Sequence, residues 1–362
     1  MTPHRGVTSH RGAAPHPGDL TDRLAPLLGS APGATAVALA GVRGGEQALL
    51  CEGSTDRTGG RPVGPDTRFE VGSVTKTFTA LLLAEAVARG EVGLNDPIAR
   101  HLPPGTAPVH RSSEPITLLH LATHTSGLPR LPRGMLRTAV RSWSSNPYGA
   151  YGERQLLDSL ASTTVRARPG SRVHYSNLGV GLLGRLLAGA AGAEYAELLT
   201  ARVLEPLALT GTTCDPGRAQ ATGYWHGRAR PPWSIPALPG AGALRSTAGD
   251  LLRYLLALLD PAAVAVGSMP LAEALADVRR PRLVLPRTGD RTCLVWSLRT
   301  APGRDLFFHS GGTRGFTAFV GFCPQTSTGL AALANTTPAC NDTFIQNAYT
   351  ALRDLTEADL PT

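Results

Sequence analysis

The chain has 362 residues, 42% hydrophobic and 17% charged, which is the composition of a globular protein large enough for one big domain or two lobes. Its formal charge of +8 comes almost wholly from arginine, yet there is no arginine run and no basic stripe interleaved with aromatics, which argues against nucleic-acid binding. No run approaches the roughly 18 apolar residues of a membrane span, and five scattered cysteines without CxxC spacing (Cys51, Cys214, Cys293, Cys323, Cys340) read as reduced thiols rather than a disulfide or metal framework.

Met1–Gly18 is rich in His, Arg, Pro and Gly and has no apolar stretch behind its basic start, so it reads as a disordered tail, and the protein as cytoplasmic. Leu20–Leu28 reads as an amphipathic helix. Thr35–Val42 and Gln47–Glu52 read as strands joined by a Gly44-Gly45 turn, a hairpin signal. Arg68–Val71 is a short extended stretch. Val74–Arg89 is apolar nearly all round and stops at Gly90, which predicts a central, buried helix.

The middle is mostly helical: Ile116–Thr123, Gln155–Ala161, Leu178–Ala190, Tyr195–Val203, and a helix capped by Thr247 with Asp250 three residues on, which runs through Leu259 and stops at Pro261. Two long segments, Leu131–Tyr151 and Gly223–Gly240, mix Pro, Gly and Arg with Trp143, Tyr148, Tyr151, Tyr224, Trp225 and Trp233. Aromatics concentrated in loops fit substrate-binding lids. Strands return at Cys293–Leu298, Leu306–His309, Phe316–Phe322 and Thr328–Ala334, and Asn341–Leu355 closes the chain as a helix. Strands at both ends bracketing a helical middle predict an α+β fold. Its N- and C-terminal strands pair into one antiparallel sheet, with the α/β lobe at about 19–80 and 285–362 and a helical lobe at about 81–284.

The candidate chemistry centres on one residue type. Of 35 lysines and arginines only Lys76 is lysine. Arginine supplies charge but cannot surrender its proton, whereas lysine can once its surroundings shift it. Ser73 lies three residues upstream, on the same helix face, where the helix N-terminus favours a developing negative charge. A serine alcohol needs a base to become a nucleophile, and the adjacent amine is one. Taken alone, Ser-x-x-Lys is as readily a cap followed by a surface lysine.

A second cluster, Tyr175-Ser176-Asn177, follows Pro169-Gly170 and starts a helix. A nearby ammonium favours the phenolate of Tyr175, which could take the Ser73 proton, and Asn177 offers an amide to orient a substrate carbonyl. A third, His309-Ser310-Gly311-Gly312, ends a strand, where paired glycines permit close backbone approach and N–H groups can face an oxyanion.

Taken together, in this order, the clusters resemble those of the serine β-lactamase and penicillin-binding-protein superfamily, in particular its branch of class C β-lactamases, D-aminopeptidases and related esterases. The resemblance runs from about Leu20 to Leu355. Its flanking text includes Leu121-Ala122-Thr123-His124-Thr125-Ser126-Gly127-Leu128-Pro129, Ala243-Leu244-Arg245-Ser246-Thr247-Ala248 and Phe307-Phe308 ahead of His309. It implies a two-lobed fold and an acyl-enzyme mechanism without cofactor or metal. Ser73 attacks a carbonyl, Lys76 and Tyr175 shuttle its proton, the N–H groups of Ser73 and Gly312 form the oxyanion hole, and Asn177 positions the substrate.

The third motif departs from the Lys-Thr-Gly form of many β-lactamases, since His309 stands where that lysine would be, and Arg314 is the residue that could compensate. This departure and the expected cytoplasmic location favour an esterase, amidase or biosynthetic transacylase acting on a small-molecule acyl donor, with water, an amine or an alcohol as acceptor. A β-lactamase or D-amino-acid peptidase is the alternative, and a non-catalytic binding protein on the same fold is the reading of another class.

Three other patterns are weaker. Gly179-Val180-Gly181-Leu182-Leu183-Gly184 fits GxGxxG but lacks a βαβ setting and reads as close helix packing. Gly72–Thr77 lacks the glycine that precedes the lysine of a phosphate-binding loop. His120 and His124 have metal-pair spacing, but Leu121 stands where a zinc peptidase carries glutamate, so both read as structural.

Overall fold

A computed structural model describes residues 6–8, 19–140, 142, 145–284, 291–338 and 343–357. Its centre is a nine-stranded, antiparallel sheet. In chain order the strands are β1 (Gly6–Thr8), β2 (Ala36–Arg43), β3 (Glu46–Gly53), β4 (Leu283–Val284), β5 (Arg291–Thr292), β6 (Ser297–Ala301), β7 (Arg304–Gly312), β8 (Thr317–Cys323) and β9 (Thr328–Ala334). Across the sheet they run β1-β3-β2-β9-β8-β7-β6-β5-β4. The two ends of the chain therefore meet in the middle, with Ala40 of β2 opposite Ala331 of β9. Of the expected tail, Gly6–Thr8 runs as an edge strand beside β3; the rest lies outside the described residues.

The pleat sorts β2 between two cores. Ala36, Ala38, Ala40 and Val42 face one, and Val37 and Leu39 face the other. The second core is closed by Leu20, Leu24 and Leu27 from the N-terminal segment and by Phe344, Leu352 and Leu355 from the last helix, Thr343–Glu357. The first core is closed by helices from the middle of the chain. A two-sided sheet needs apolar residues on both faces, and β8 and β9 are buried at every position.

The central helix spans Thr75–Ala88, and every residue from Thr75 to Ala86 is buried. Its sequence is apolar nearly all round because it packs on all sides. Gly72–Val74 forms a 3-10 turn ahead of it, so Ser73 stands in that turn rather than in the α-helix. The expected strand Cys293–Leu298 divides: β5 ends at Thr292, Val295 takes a positive φ of 67°, and β6 begins at Ser297. That break sends Trp296 into the core at 1% exposure.

The first loop-like segment carries a short helix, Met135–Ala139, and the second a hairpin of Gly223–Trp225 with Arg228–Arg230. Trp143 and Cys340 lie outside the described residues. Thr247 caps the helix Ala248–Leu259 by accepting the Asp250 N–H. The whole is a two-lobed α+β fold.

Candidate active site

The turn that carries Ser73 is shaped by glycines and by a strand pressed against it. Gly72 has φ +49°, and a side chain there would meet the Gly312 backbone at 2.7 Å. A Cβ on Gly311 would meet the Val71 carbonyl at 2.0 Å and the Ser73 nitrogen at 2.8 Å. The paired glycines at the end of β7 thus let the strand's backbone lie directly on the turn that carries Ser73.

Lys76 is fully buried, and its Nζ lies 2.8 Å from Ser73 Oγ and 2.6 Å from the Ala241 carbonyl. Burial pushes its pKa below the ordinary 10.5, with the nearby Tyr175 partly opposing that shift. The segment that supplies Ala241 is tied along the same helix: Thr79 Oγ1 donates to the Gly240 carbonyl, and Thr75 Oγ1 accepts the Leu244 N–H. The Ser73–Lys76 pair is therefore held from the helix and from a segment 165 residues away in sequence.

Tyr175 presents its ring to the same place, its centroid 5.1 Å from Lys76 Nζ. The stretch 121–129 frames it: the His174 N–H donates to the His124 carbonyl, and Ser176 Oγ donates to the Pro129 carbonyl. Asn177 opens the helix Asn177–Ala191. Its Nδ2 donates to the Tyr148 hydroxyl at 2.9 Å, and its Oδ1 is buried with no hydrogen-bond partner among the described residues. Tyr148 stacks edge-on against Trp233, and Asn146 Nδ2 donates to the Ser234 carbonyl, so the two aromatic loops are joined over the site.

His309 sits 6.4 Å from the Tyr175 ring, centroid to centroid, and its Nδ1 donates to the Ser310 carbonyl at 2.8 Å. Burial, reinforced by the Lys76 charge, pushes its pKa down to about 3, so the ring is neutral at physiological pH. Arg314 lies over the Trp225 ring at 4.7 Å.

These groups face two adjoining cavities. The larger, about 520 Å³, is bordered by Ser73, Tyr175, Asn177, His309, Ser310, Gly311 and Gly312. The smaller, about 250 Å³, is bordered by Ser73, Asn177, Tyr148, Trp233 and Arg314. All nine residues expected at the site come together, Lys76 lying beneath Ser73. Arg130 was not anticipated: it borders both cavities with its guanidinium 5.5 Å from the Tyr175 ring centroid, and its carbonyl accepts the first N–H groups of the Asn177 helix. The only sequence signal was its place directly after the Leu121–Pro129 stretch. Of the metal-spaced pair, His120 Nδ1 accepts the Thr117 N–H at a helix start, and His124 packs on Tyr175.

A serine hydrogen-bonded to a buried lysine, set at the start of a central helix against an antiparallel sheet, is the arrangement expected of a serine hydrolase of the penicillin-recognising architecture. Comparison with known proteins agrees. The β-lactamase family model matches residues 21–354, and the chain belongs to that family. It is 29% identical to the D-alanyl-D-alanine-carboxypeptidase/endopeptidase AmpH of Escherichia coli K12, over 93% of this chain and 88% of the relative. It is 28% identical to a β-lactamase of the same strain, over 83% of each, and 27% identical to a β-lactamase of Yersinia enterocolitica, over 93% and 90%.

Proposed function

We propose that the protein hydrolyses an amide through an acyl-enzyme on Ser73, on a substrate of the D-alanyl peptide or β-lactam kind. The observation that carries the mechanism is the 2.8 Å contact between Ser73 Oγ and the buried amine of Lys76. A neutral amine at that distance accepts the hydroxyl proton as Oγ bonds to the carbonyl carbon. The resulting oxyanion faces the backbone N–H groups of Ser73 and Gly312. Tyr175, beside the Lys76 amine, relays the proton that Lys76 took from Ser73 to the leaving nitrogen as the C–N bond breaks. Water then attacks the ester, giving up a proton to the Lys76–Tyr175 pair, and that proton passes to Oγ as the acid leaves.

The substrate class is supported by the names of the relatives and by the charge of the cleft. Arg130 and Arg314 border the cavities, and no Asp or Glu does among the described residues. Both substrate types carry a carboxylate that such a cleft would attract. A second reading is an esterase or biosynthetic transacylase, and the observation favouring it is His309, a neutral ring at the position where Lys-Thr-Gly enzymes keep a permanent cation.

Intact-protein mass spectrometry tests both. The protein and Ser73→Ala are mixed with a β-lactam, an acyl-D-alanyl-D-alanine peptide and an activated ester, with and without an added amine. A Ser73-dependent adduct with the β-lactam, or release of D-alanine from the peptide, supports the first reading. An adduct formed only from the ester, and lost faster in the presence of amine, replaces it with the second. No Ser73-dependent adduct and no turnover of any of the three would overturn the acyl-enzyme mechanism.

A further inference from the structure

His124 is held in an unusual state. It is a non-glycine residue at φ +56°, buried to 6% exposure, in the left-handed region that only a few per cent of non-glycine residues occupy. Its Nδ1 accepts the Ser176 N–H at 3.2 Å, so the proton of the neutral ring is on Nε2. That Nε2 is buried and meets no hydrogen-bond partner among the described residues. Burial first, then the nearby Lys76, keeps the ring neutral, as acceptance at Nδ1 requires.

A strained backbone and an unpaired buried N–H are both unfavourable for folding. What they accompany is a three-point grip on one tripeptide. The His124 carbonyl accepts the His174 N–H at 2.7 Å, Nδ1 accepts the Ser176 N–H, and the imidazole packs on the ring of the residue between them, Tyr175, with centroids 4.4 Å apart. Arg130 covers the ring at 5.5 Å. We propose that His124 is the positioning residue for Tyr175, fixing the backbone on both sides of it and the plane of its ring so that the phenol meets Lys76 and Ser73.

The inference rests on the role proposed for Tyr175, and two substitutions separate its parts. His124→Asn tolerates the positive φ and keeps an acceptor, Oδ1, near the position of Nδ1, but removes the ring. His124→Phe keeps a ring and removes the acceptor. Each slows the Ser73 acylation rate by about 10- to 100-fold, the loss expected from an ångström-scale displacement of a reacting group. The reading that distinguishes positioning from general loosening of the fold is the double variant. In a Tyr175→Phe background neither change slows acylation further, because the group it positions has gone. Thermal melts of each variant check that it is folded, and one well-behaved substitution is enough.

Losses that multiply in the Tyr175→Phe background would overturn the inference, as would wild-type acylation by both single variants. An unchanged rate in Tyr175→Phe alone would remove Tyr175 from the mechanism, and that failure is separate from the failure of His124 to act on it.

Discussion

At the scale of single residues, the decisive feature is a lysine placed where water cannot reach it. Its amine must be neutral to take the Ser73 proton, and burial moves it in that direction from 10.5. The acylation rate therefore rises with pH through a midpoint below 10.5, read by single-turnover kinetics. The same shift makes the unfolded chain bind more protons than the folded one between the lowered value and 10.5, so the lysine's contribution to stability rises with pH across that window. Lys76→Arg keeps a charge and removes the base, and lowers acylation by about 10²- to 10⁴-fold. His309, pushed down to about 3, does not change charge above pH 5. His309→Ala consequently leaves the shape of the pH profile above pH 5 unaltered whatever it does to its height; loss of a step near pH 6.5 in that variant would contradict the neutral ring.

At the scale of elements, the site is a meeting of one strand end and one helix start, and its tolerance is set by backbone contact. Gly311→Ala places a methyl group 2.0 Å from the Val71 carbonyl. Neither backbone can give way without moving Ser73, so the change destabilises by about 3 kcal/mol or more and abolishes acylation. Gly189 gives the contrast. It lies within the helix Asn177–Ala191, and a methyl there meets nothing within 4 Å. Gly189→Ala leaves acylation unchanged and adds about 0.5–1 kcal/mol to stability. Denaturant unfolding with parallel acylation assays measures both, and equal behaviour of the two glycines would refute the packing argument. The paired glycines were legible as a place of close backbone approach; that the approaching backbone is the turn carrying Ser73 was not.

At the scale of the whole molecule, a buried polar network ties together segments that are far apart in sequence. Glu70, just before the turn that carries Ser73, accepts the Trp233 N–H at 2.6 Å, the Gln220 side-chain amide at 3.0 Å and the Thr313 hydroxyl at 2.7 Å. Arg245 lies 3.8 Å from the same carboxylate, 1% exposed, and donates to the carbonyls of Trp233 and Ala243. One carboxylate and one guanidinium thus fasten an aromatic loop, the segment beside the central helix and the end of β7 to the strand that leads into Ser73. Removing one partner of a buried ion pair strands the other, so Arg245→Ala costs about 3–5 kcal/mol and lowers the melting temperature accordingly. Arg353, whose pairing with Asp354 is at the surface, is the control: Arg353→Ala leaves the melting temperature essentially where it was. Similar losses in the two variants would mean that the Glu70 network does not hold the lobes' elements together.

Much of this molecule was present in one dimension. Local chemistry is written locally: Ser73 and Lys76 are three apart, the glycines sit where chains must touch, and an all-round apolar stretch makes a buried helix. The pairing of the first and last strands followed from strands at both ends bracketing a helical middle. What distance in sequence concealed is what distance in space created. Arg130 carries no mark in the sequence until the Asn177 helix is laid on its carbonyl, His124 reads as structural until Tyr175 lies on its ring, and Glu70 and Arg245 come together only when folding buries them 3.8 Å apart among partners from distant segments. Spacing along the chain determined which groups could react. The tertiary structure alone decided how they are held, because desolvation and long-range hydrogen bonds arise only when distant segments close over them.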